Sequence, residues 1–565
     1  MKKRQHSSVN IPVRSNVKEL STKRVLTSDP IEKTGRLKLQ LGLIVAVVAF
    51  LLYANTLQHK YVLDDYLFIT GNSMTQAGVK ALPDIFKTGY MANYEHHDAH
   101  NYRPIPKSIF AIEWQVAPFN SSLCHWVNVL LYALTCFLLF NMLTLYLDKN
   151  FLVPFLTALF FAAHPVHTEA VANIKSLDEI LSMLFFLAAS IGIYKYLVKN
   201  SMVNLVFSAV FFFLSLLSKE SSITFLGVIA MMIFFFTDAK RPQQLISILV
   251  LCVVAGVYLI IRKNVLGNQT INYSVVENYL FGIKDFITQK ATAVFLMGVY
   301  LKLLFFPHPL MSDGSLQQFP VVHVLDWQFI ITAMIILALI IFAFRGWRKK
   351  NIFSFSILYF FITASIVSNI FVLFGACYGE RLMFSPSLGY CLFAAAAIEK
   401  LTGSKIIVKT KNNLPGFFKS HSKSILIVCI ILLLFSVKTI SRNAVWHDNF
   451  KLYSTDVQIA SNSARSHYFL GNYILQEEFL GSINDSTSRS HFVIEGISEI
   501  KKAIDIYPDY AEAQEKMAQI IQQAGLLAEA EPHFRKAIEC DSLNPMHYNN
   551  YGKLLLHAVH KIALF

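Results

Sequence analysis

The sequence predicts an all-α polytopic membrane protein that ends in a tail of paired helices. Three observations lead to this fold class. Long apolar runs fill the first 440 residues: 54% of all 565 residues are hydrophobic and only 15% are charged, whereas soluble domains carry about 25% charged residues. Basic segments flank several of these runs. The residues after 441 carry an internal repeat instead.

Eleven apolar runs have the length and composition expected of membrane-spanning helices. A helix needs about 20 mainly apolar residues to cross a bilayer core of about 30 Å. The first run is too long, and too far from the N-terminus, to be a cleaved signal peptide. The predicted spans are approximately 38–57, 123–146, 151–163, 178–197, 202–217, 222–237, 244–261, 327–344, 352–374, 384–399 and 424–440.

The distribution of Lys and Arg orients these spans. The formal net charge is +14, and the excess lies mainly in the N-terminal arm and in 400–423. Basic segments beside spans remain cytoplasmic, so the pattern indicates membrane orientation rather than nucleic-acid binding. With the N-terminus inside, alternation also puts 238–241 and 345–350 in the cytoplasm. This holds only if the apolar stretch 285–306 does not cross, so we predict that it is re-entrant or interfacial.

The tail repeats with a period of 34 residues. Ala503 matches Ala537, and Ala518 matches Gly552. Each unit predicts two helices, with small residues where the paired helices pack closely. The period resembles that of tetratricopeptide repeats (TPR). About two and a half units are present, and the first carries an insertion near 481–490.

These patterns divide the chain into three parts. We predict a cytoplasmic basic arm (1–37), a membrane domain (38–440) whose first outer loop is 58–122, and a non-cytoplasmic TPR-like tail (441–565). We expect a bacterial inner membrane with a periplasmic tail, the alternative being an endoplasmic reticulum membrane with a luminal tail. The seven cysteines show no CxxC spacing, so neither a zinc site nor a disulfide framework is predicted.

An acidic pair follows the first span. Polar residues gathered at one face of a membrane bundle indicate a functional site, and Asp64 and Asp65 lie in such a segment. Adjacent carboxylates on a helix diverge by about 100°, so one can act as a base while the other orients a partner. The alternative is that one Asp caps the following helix. We favour Asp65 slightly as the base, because it lies farther from the membrane.

A second polar segment, HPVHTEAV, precedes the fourth span. Its side chains His164, His167 and Glu169 could bind a divalent metal; the alternative, which we favour, is that they hydrogen-bond neighbouring loops. Pro165 prevents a regular helix through the segment. Asp178 follows at the mouth of the span, either as a site residue or as a cap.

Three cations lie in predicted outer segments. Arg103 belongs to NYRPIP, Lys219 stands beside Glu220 in a short hairpin, and Arg381 stands beside Glu380. Such cations can clamp a phosphate, since the guanidinium group matches phosphate geometry. The alternative is that Lys219 and Arg381 neutralise the neighbouring Glu or extend to lipid headgroups.

Together these segments resemble the transmembrane and tetratricopeptide repeat-containing (TMTC) family of protein O-mannosyltransferases. The resemblance covers nearly the whole chain from about residue 40, and HPVHTEAV and ERLMFSPSLG are its most specific segments. The matching positions are Asp64–Asp65, Arg103–Pro104, His164–Val171, Lys219–Glu220, Pro307, Pro309, Ser312, Glu380, Arg381, Pro386, Ser387 and Gly389.

The resemblance implies a glycosyltransferase-C-like bundle that uses a polyprenyl- or dolichyl-phosphate-linked sugar. It implies mannose as the sugar, a protein Ser or Thr hydroxyl as the acceptor, and a tail that can bind a protein partner. The chain departs from the family in two respects. Eukaryotic members usually carry many more repeats, and the segment that usually reads G-R-A-D is N-I-K-S-L-D here, where only Asp178 carries over.

The placement of these residues agrees with transfer from a lipid-linked donor. The phosphate of such a donor stays at the membrane surface, so its catalyst belongs at the outer ends of spans. Asp64 or Asp65 would accept the proton of the acceptor hydroxyl during attack with inversion. Arg103, Lys219 and Arg381 would stabilise the leaving phosphate. No cofactor is expected beyond the donor substrate, although the two histidines leave a divalent metal open.

Other functions predict different patterns. A transporter or flippase for a lipid-linked sugar would place charges at the bilayer midplane of related halves, and the sequence shows no such halves. A scaffold that only recruits partners would not need eleven spans with a polar outer face. Within the enzyme class, transfer to a lipid or glycan is the alternative to a protein acceptor.

Overall fold

The structure is a computed structural model that describes residues 32–93, 101–147, 151–267, 275–315, 317–403 and 413–563. Within these ranges all regular secondary structure is helical, which confirms the predicted all-α class. Most of the predicted basic arm, 1–31, lies outside the described residues, as does 404–412 of the later basic cluster.

Seventeen α-helices form the membrane part within the described ranges. In chain order they are α1 Glu32–Tyr53, α2 Ser73–Gln76, α3 Leu82–Ile85, α4 Pro104–Val116, α5 Ser121–Tyr146, α6 Leu152–Ala163, α7 Thr168–Ala172, α8 Leu177–Lys199, α9 Met202–Ser218, α10 Thr224–Phe236, α11 Arg241–Leu266, α12 Phe286–Phe305, α13 Trp327–Trp347, α14 Ile352–Ala364, α15 Ser387–Thr402, α16 Leu414–Ser420 and α17 Ser422–Asn443.

Each predicted span corresponds to one apolar helix, and a further apolar helix, α12, lies in the stretch that we predicted not to cross. Seven helices, α1, α5, α8, α11, α12, α13 and α17, are long and apolar enough to cross a membrane. Four shorter apolar helices coincide with α6, α9, α10 and α14. Each of the eleven predicted spans overlaps one helix, with α15 at 384–399. The protein is therefore a multi-pass membrane protein, and the clearest boundary error is at 352–374, where α14 already ends at Ala364.

The ends of the helices gather at two opposite faces. One face, which we name the site face, lies where α1, α6, α9 and α17 end and where α5 and α8 begin. Hydrogen bonds at this face join Ser121 to the carbonyl of His59, Asn443 to Asn55, and Thr439 to the carbonyl of Ala163.

The opposite ends form what we name the far face. Contacts there join Tyr146 to Ser190, Phe234 to Trp347, and Lys350 to Asp238. The Lys350–Asp238 ion pair brings together two segments that we predicted to be cytoplasmic. The far face is thus the basic side, and the site face is the side we predict to be non-cytoplasmic.

Helix α12 is the stretch that we predicted to be re-entrant or interfacial. It is one unbroken helix of 20 residues. Near its start, Lys290 donates to the carbonyl of Asn369, which follows α14 at the site face. Near its end, the carbonyl of Leu304 lies 3.0 Å from Nε2 of His164, also at the site face. A continuous helix with both ends at one face fits the interfacial alternative rather than the re-entrant one.

A glycine fixes the position of α15 beside the site. A Cβ atom on Gly389 would lie 2.6 Å from the carbonyl oxygen of Ser356 on α14. No other residue type allows the two helix backbones to approach this closely. The helix start at Ser387, two residues earlier, is thereby held against the bundle.

The tail contains seven α-helices within the described residues, and these helices can be paired into the predicted TPR-like units. They are α18 Asn449–Ile459, α19 Ala464–Ile474, α20 Glu477–Gly481, α21 Ser486–Ile506, α22 Ala511–Gln523, α23 Leu527–Cys540 and α24 Pro545–Ala563. Helices α19 and α21 form the first unit, with α20 in the predicted insertion; α22 and α23 form the second. The matched residues Ala503 and Ala537 are both fully buried.

The tail rests on the site face. The backbone N–H of Leu63 donates to Asn449, and that of Ser312 donates to Asp456, at 2.8 and 2.6 Å. Asp456 also forms an ion pair with Arg442 at the end of α17, at 2.7 Å. The first tail helices and the membrane domain therefore share an interface beside the acidic pair.

Candidate functional site

Short breaks between helices build the candidate site. Four 3₁₀ turns, at Pro165–His167, Ile174–Ser176, Glu220–Ile223 and Glu380–Met383, interrupt the chain at the site face. In a bilayer, a non-helical backbone is tolerated only where protein or a polar cavity surrounds it. The turns carry His167, Glu220, Glu380 and Arg381, and they adjoin His164, Glu169, Asp178 and Lys219.

Asp64 is the acidic residue that faces the cluster. Its Oδ2 atom lies 3.8 Å from Nζ of Lys175 and 3.8 Å from Nη1 of Arg381. The side chain is 24% exposed. Burial raises the pKa of Asp64, but the charges of Lys175 and Arg381 outweigh it, and the pKa lies below its ordinary value. Asp64 is therefore an ionised carboxylate that a ligand can reach.

Asp65 points the opposite way, into the protein. Its Oδ2 accepts the backbone N–H of Val62 at 2.9 Å and its Oδ1 accepts that of Lys175 at 2.8 Å. The side chain is fully buried, and burial raises its pKa to about 7. This geometry favours Asp64 over Asp65 as the base, because both Asp65 oxygens accept backbone N–H groups and the side chain is fully buried. The helix-cap alternative fails, since Asp65 makes no capping bond to the turn that follows it.

Arg103 is saturated by two carboxylates. Its Nε donates to Glu220 at 2.8 Å, Nη2 binds the other oxygen of the same carboxylate, and Nη1 binds Asp178. The side chain is 5% exposed. The predicted phosphate clamp does not include Arg103 in this arrangement, because its donors are already engaged. Asp178 serves as a partner of Arg103 rather than as a helix cap.

Lys219 is likewise enclosed. Its ammonium group binds Glu179 and lies 3.7 Å from Asp178. The side chain is 4% exposed. Lys219 therefore neutralises carboxylates of α8. The alternative that it neutralises its neighbour Glu220 does not describe this arrangement. Burial of so many charges is tolerated because each has an opposite partner.

Arg381 is the predicted cation that remains accessible. Its Nη1 donates to Glu169 at 2.7 Å, and its backbone N–H donates to the same carboxylate at 2.8 Å. Glu169 is fully buried, whereas the Arg381 side chain is 22% exposed. The same Nη1 atom thus lies between the carboxylates of Glu169 and Asp64, bonded to the first and 3.8 Å from the second.

Glu380 does not pair with the adjacent Arg381. Within the described ranges it forms no ion pair, and it is fully buried. Burial raises the pKa of Glu380 well above its ordinary value, although the charge of Arg442 opposes this. Glu380 therefore belongs to the tail interface, on the side of Arg442, rather than to the accessible cleft.

The two histidines are held inside the fold. Nε2 of His164 lies 3.0 Å from the carbonyl of Leu304, so it is the protonated nitrogen. His167 contacts the hydroxyl of Tyr132 at 3.0 Å and that of Ser387 at 2.7 Å. Among the residues that the structure describes, no group of three metal-ligating side chains is present. The histidines therefore hydrogen-bond α5, the end of α12 and the start of α15.

Two cations of the cluster were missed as site residues. Lys175 lies in the 3₁₀ turn before α8, and its ammonium group also lies 5.3 Å from the ring centroid of Phe68. Arg465 comes from α19 of the tail, and its positive charge also lowers the pKa of Asp64. A Lys beside Asp178 was visible in the sequence. No local pattern singled out Arg465, because it lies about 400 residues from Asp64.

Comparison with known proteins finds similarity to protein O-mannosyl-transferases. No protein-family profile matches the chain. It is 26% identical over 437 residues to a protein O-mannosyl-transferase of Caenorhabditis elegans, covering 76% of this chain and 59% of that protein. It is 25% identical over 525 residues to protein O-mannosyl-transferase TMTC1 of Homo sapiens, covering 83% and 55%. These matches confirm the resemblance to the TMTC family.

The TMTC relatives are longer proteins. A third relative, protein O-mannosyl-transferase TMTC4 of Mus musculus, is 24% identical over 492 residues, which cover 77% of this chain and 64% of that protein. The chain thus spans between about half and two thirds of the length of these TMTC relatives. All three come from animals, and they give no support to the bacterial location that we expected.

Proposed function

We propose that the chain transfers a sugar from a polyprenyl- or dolichyl-phosphate donor to a hydroxyl group at the site face. The observation that carries this proposal is the position of Asp64, an accessible carboxylate between the cations of Lys175 and Arg381. A carboxylate supplies a base, and adjacent cations supply a site for the leaving phosphate. The TMTC relatives are named protein O-mannosyl-transferases, which favours mannose as the sugar and a protein as the acceptor.

Asp64 is the general base in this proposal. It accepts the proton of a Ser or Thr hydroxyl while the hydroxyl oxygen forms a bond to the anomeric carbon. The bond between that carbon and the phosphate oxygen breaks, and its electron pair leaves with the lipid phosphate. Attack from the face opposite the phosphate inverts the anomeric centre. General-base catalysis of this kind contributes about 10²- to 10⁴-fold.

The cations couple donor binding to the basicity of Asp64. Without donor, Lys175 and Arg381 hold the pKa of Asp64 below its ordinary value, which makes it a weak base. The donor phosphate is a phosphodiester with one negative charge, and the leaving lipid phosphate gains a second as its bond to the anomeric carbon breaks; these charges attract both cations. Once they turn towards the phosphate, the pKa of Asp64 rises. The base is thus strengthened only when the donor is in place.

The buried ion pairs position this centre. Glu169 holds Arg381 by two hydrogen bonds, and Asp65 fixes the backbone of Lys175. The pairs of Arg103 and Lys219 join α4, α8 and the turn before α10. Such preorganisation lets fixed charges stabilise a developing charge without rearrangement. In this proposal Arg103 and Lys219 are positioning residues, and Arg381 and Lys175 contact the donor.

The acceptor reaches the centre from the side of the tail. The tail lies on the site face, and the charge pattern supports a non-cytoplasmic location for it, in a periplasm or in the lumen of the endoplasmic reticulum. The repeats offer a protein-binding surface close to Asp64. No step is assigned to a cofactor, since Arg381 and Lys175 carry the charge stabilisation.

Purified protein with dolichyl-phosphate mannose and Ser- or Thr-containing peptides tests the proposal. We expect transfer to peptide, an inverted anomeric centre, and a loss of at least about 10²-fold in the Asp64→Asn variant. If only glycan or lipid acceptors are modified, the enzyme belongs to the alternative class of sugar transferases that do not act on proteins. Equal activity with and without EDTA shows that no divalent metal is required. Movement of the intact donor across a vesicle membrane without transfer would support a flippase instead.

A further inference from the structure

The tail interface continues into the candidate site. Asn449 binds the backbone of Leu63, the residue before Asp64, at 2.8 Å. Tyr453, one helical turn later, packs in a cluster with Val62, Leu63 and Ala172. The first tail helix therefore forms one wall beside the acidic pair.

Arg465 stands on the next helix, above this wall. The ring of Phe469 lies 5.6 Å from that of Tyr453, and the guanidinium carbon of Arg465 lies 4.9 Å from the centroid of the Phe469 ring. Nη1 of Arg465 is 3.2 Å from Asp313, and the side chain is 26% exposed. Its exposure is like that of Arg381 and unlike that of the enclosed Arg103.

Asp313, the ion-pair partner of Arg465, also accepts hydrogen bonds from two serine side chains. Asp313 accepts hydrogen bonds from Ser463 at 3.1 Å and from the hydroxyl of Ser315 at 2.6 Å. Release of Arg465 would therefore leave Asp313 with other donors. The charge of Arg465 acts on Asp64, and that of Asp64 acts on Arg465. The side chain is thus a cation next to the cleft whose present ion pair can be exchanged.

We propose that Arg465 contacts the donor phosphate from the tail side, so that the first repeat is a part of the donor site. This inference rests on the proposed function. It deepens that function by assigning the tail a role in the chemistry besides the recognition of acceptors. Arg381 and Lys175 approach the phosphate from the membrane domain, and Arg465 completes the group of cations from the opposite wall. A forked guanidinium is suited to two phosphate oxygens.

The test compares three variants of the full chain with dolichyl-phosphate mannose and a short Ser/Thr peptide. We expect Arg465→Gln to raise the KM for the donor at least about tenfold, with a smaller rise for Arg465→Lys. Asp313→Asn should leave the donor KM unchanged or lower it, because Arg465 is then released from its ion pair. Arg535→Gln is the matched control, since Arg535 also lies over a ring, that of Tyr551, but on the second repeat.

A purely structural role of Arg465 predicts different effects of these substitutions. If Arg465 only fastens the tail to Asp313, then Arg465→Gln, Asp313→Asn and the double variant should be equally impaired, and the inference is overturned. A wild-type donor KM in a folded Arg465→Gln protein overturns it too. In both cases wild-type transfer that depends on Asp64 leaves the proposed function standing. Absence of transfer by the wild-type protein removes the proposed function and this inference together.

Discussion

Oδ2 of Asp64 lies 3.8 Å from Nη1 of Arg381, while both oxygens of the adjacent Asp65 accept backbone N–H groups. Two carboxylates that are neighbours in the chain therefore have separate tasks. One faces a cleft between cations, and the other fastens the loop that carries it to the turn before α8. This division gives the first prediction.

Asp64→Asn should lose activity, and Asp65→Asn should lose stability. The first change removes an exposed base and should lower kcat by at least about 10²-fold with little change in the melting temperature. The second leaves an amide N–H opposite a backbone N–H, and a buried unsatisfied group costs about 1–3 kcal/mol. Turnover assays and thermal unfolding in detergent separate the two effects. A stable, inactive Asp65→Asn protein beside an active Asp64→Asn protein would reverse the assignment.

Arg381→Lys should weaken donor use although it keeps the charge. A lysine ammonium cannot bind Glu169 and a phosphate with the geometry of the forked guanidinium. The loss of a charged hydrogen bond corresponds to about 1.5–3 kcal/mol, or roughly 10- to 150-fold in kcat/KM. Steady-state kinetics with varied donor provide the measurement. Lys438→Arg, at a half-buried position on α17, is the control for a cation outside the cluster. Wild-type kinetics of Arg381→Lys would remove Arg381 from the site.

Arg103→Gln should destabilise the fold rather than change only the donor KM. Its guanidinium is shared by Glu220 and Asp178, and removal of one partner of a buried ion pair costs about 3–5 kcal/mol. Thermal unfolding in detergent should show a large fall in melting temperature. Lys219→Met should behave similarly, because it strands Glu179. If Arg103→Gln has normal stability and only its donor KM is raised, Arg103 binds the donor phosphate as the sequence predicted.

The pH dependence of kcat should differ from that of kcat/KM. The pKa of Asp64 in the free protein lies below its ordinary value, so its base form is complete across pH 5–8 and contributes no acid limb to kcat/KM. When the donor phosphate draws the cations away, this pKa rises, and kcat should fall as the pH drops through the raised value. Rates in the Asp65→Glu variant indicate whether the carboxyl with a pKa of about 7 contributes. Identical acid limbs in both parameters would contradict the proposed coupling.

Cysteine labelling should place the tail and the far face on opposite sides of the membrane. A single cysteine at Ser490, an exposed position of the tail, should react with an impermeant reagent from the non-cytoplasmic side. A cysteine at Lys240, at the far face, should react only after permeabilisation. Cys252 and Cys429 are exposed on the bundle and Cys540 of the tail is half-buried, so the parent chain needs all three replaced. Labelling of Lys240→Cys in sealed vesicles that protect Ser490→Cys would invert the topology.

The sequence by itself determined the helical membrane architecture, the order of the spans, the period of the tail and the segments that carry charge. These properties depend on local hydropathy and on the repeat period, and both can be recognised in short stretches of the sequence. Only the tertiary structure decided which carboxylate is accessible and which cations are free. Arg103 binds Glu220 and Asp178, Arg381 binds Glu169, and Arg465 of the tail binds Asp313 of the membrane domain. Ion pairs act over a few ångströms in space, and the sequence separation of these partners carries no information about that distance.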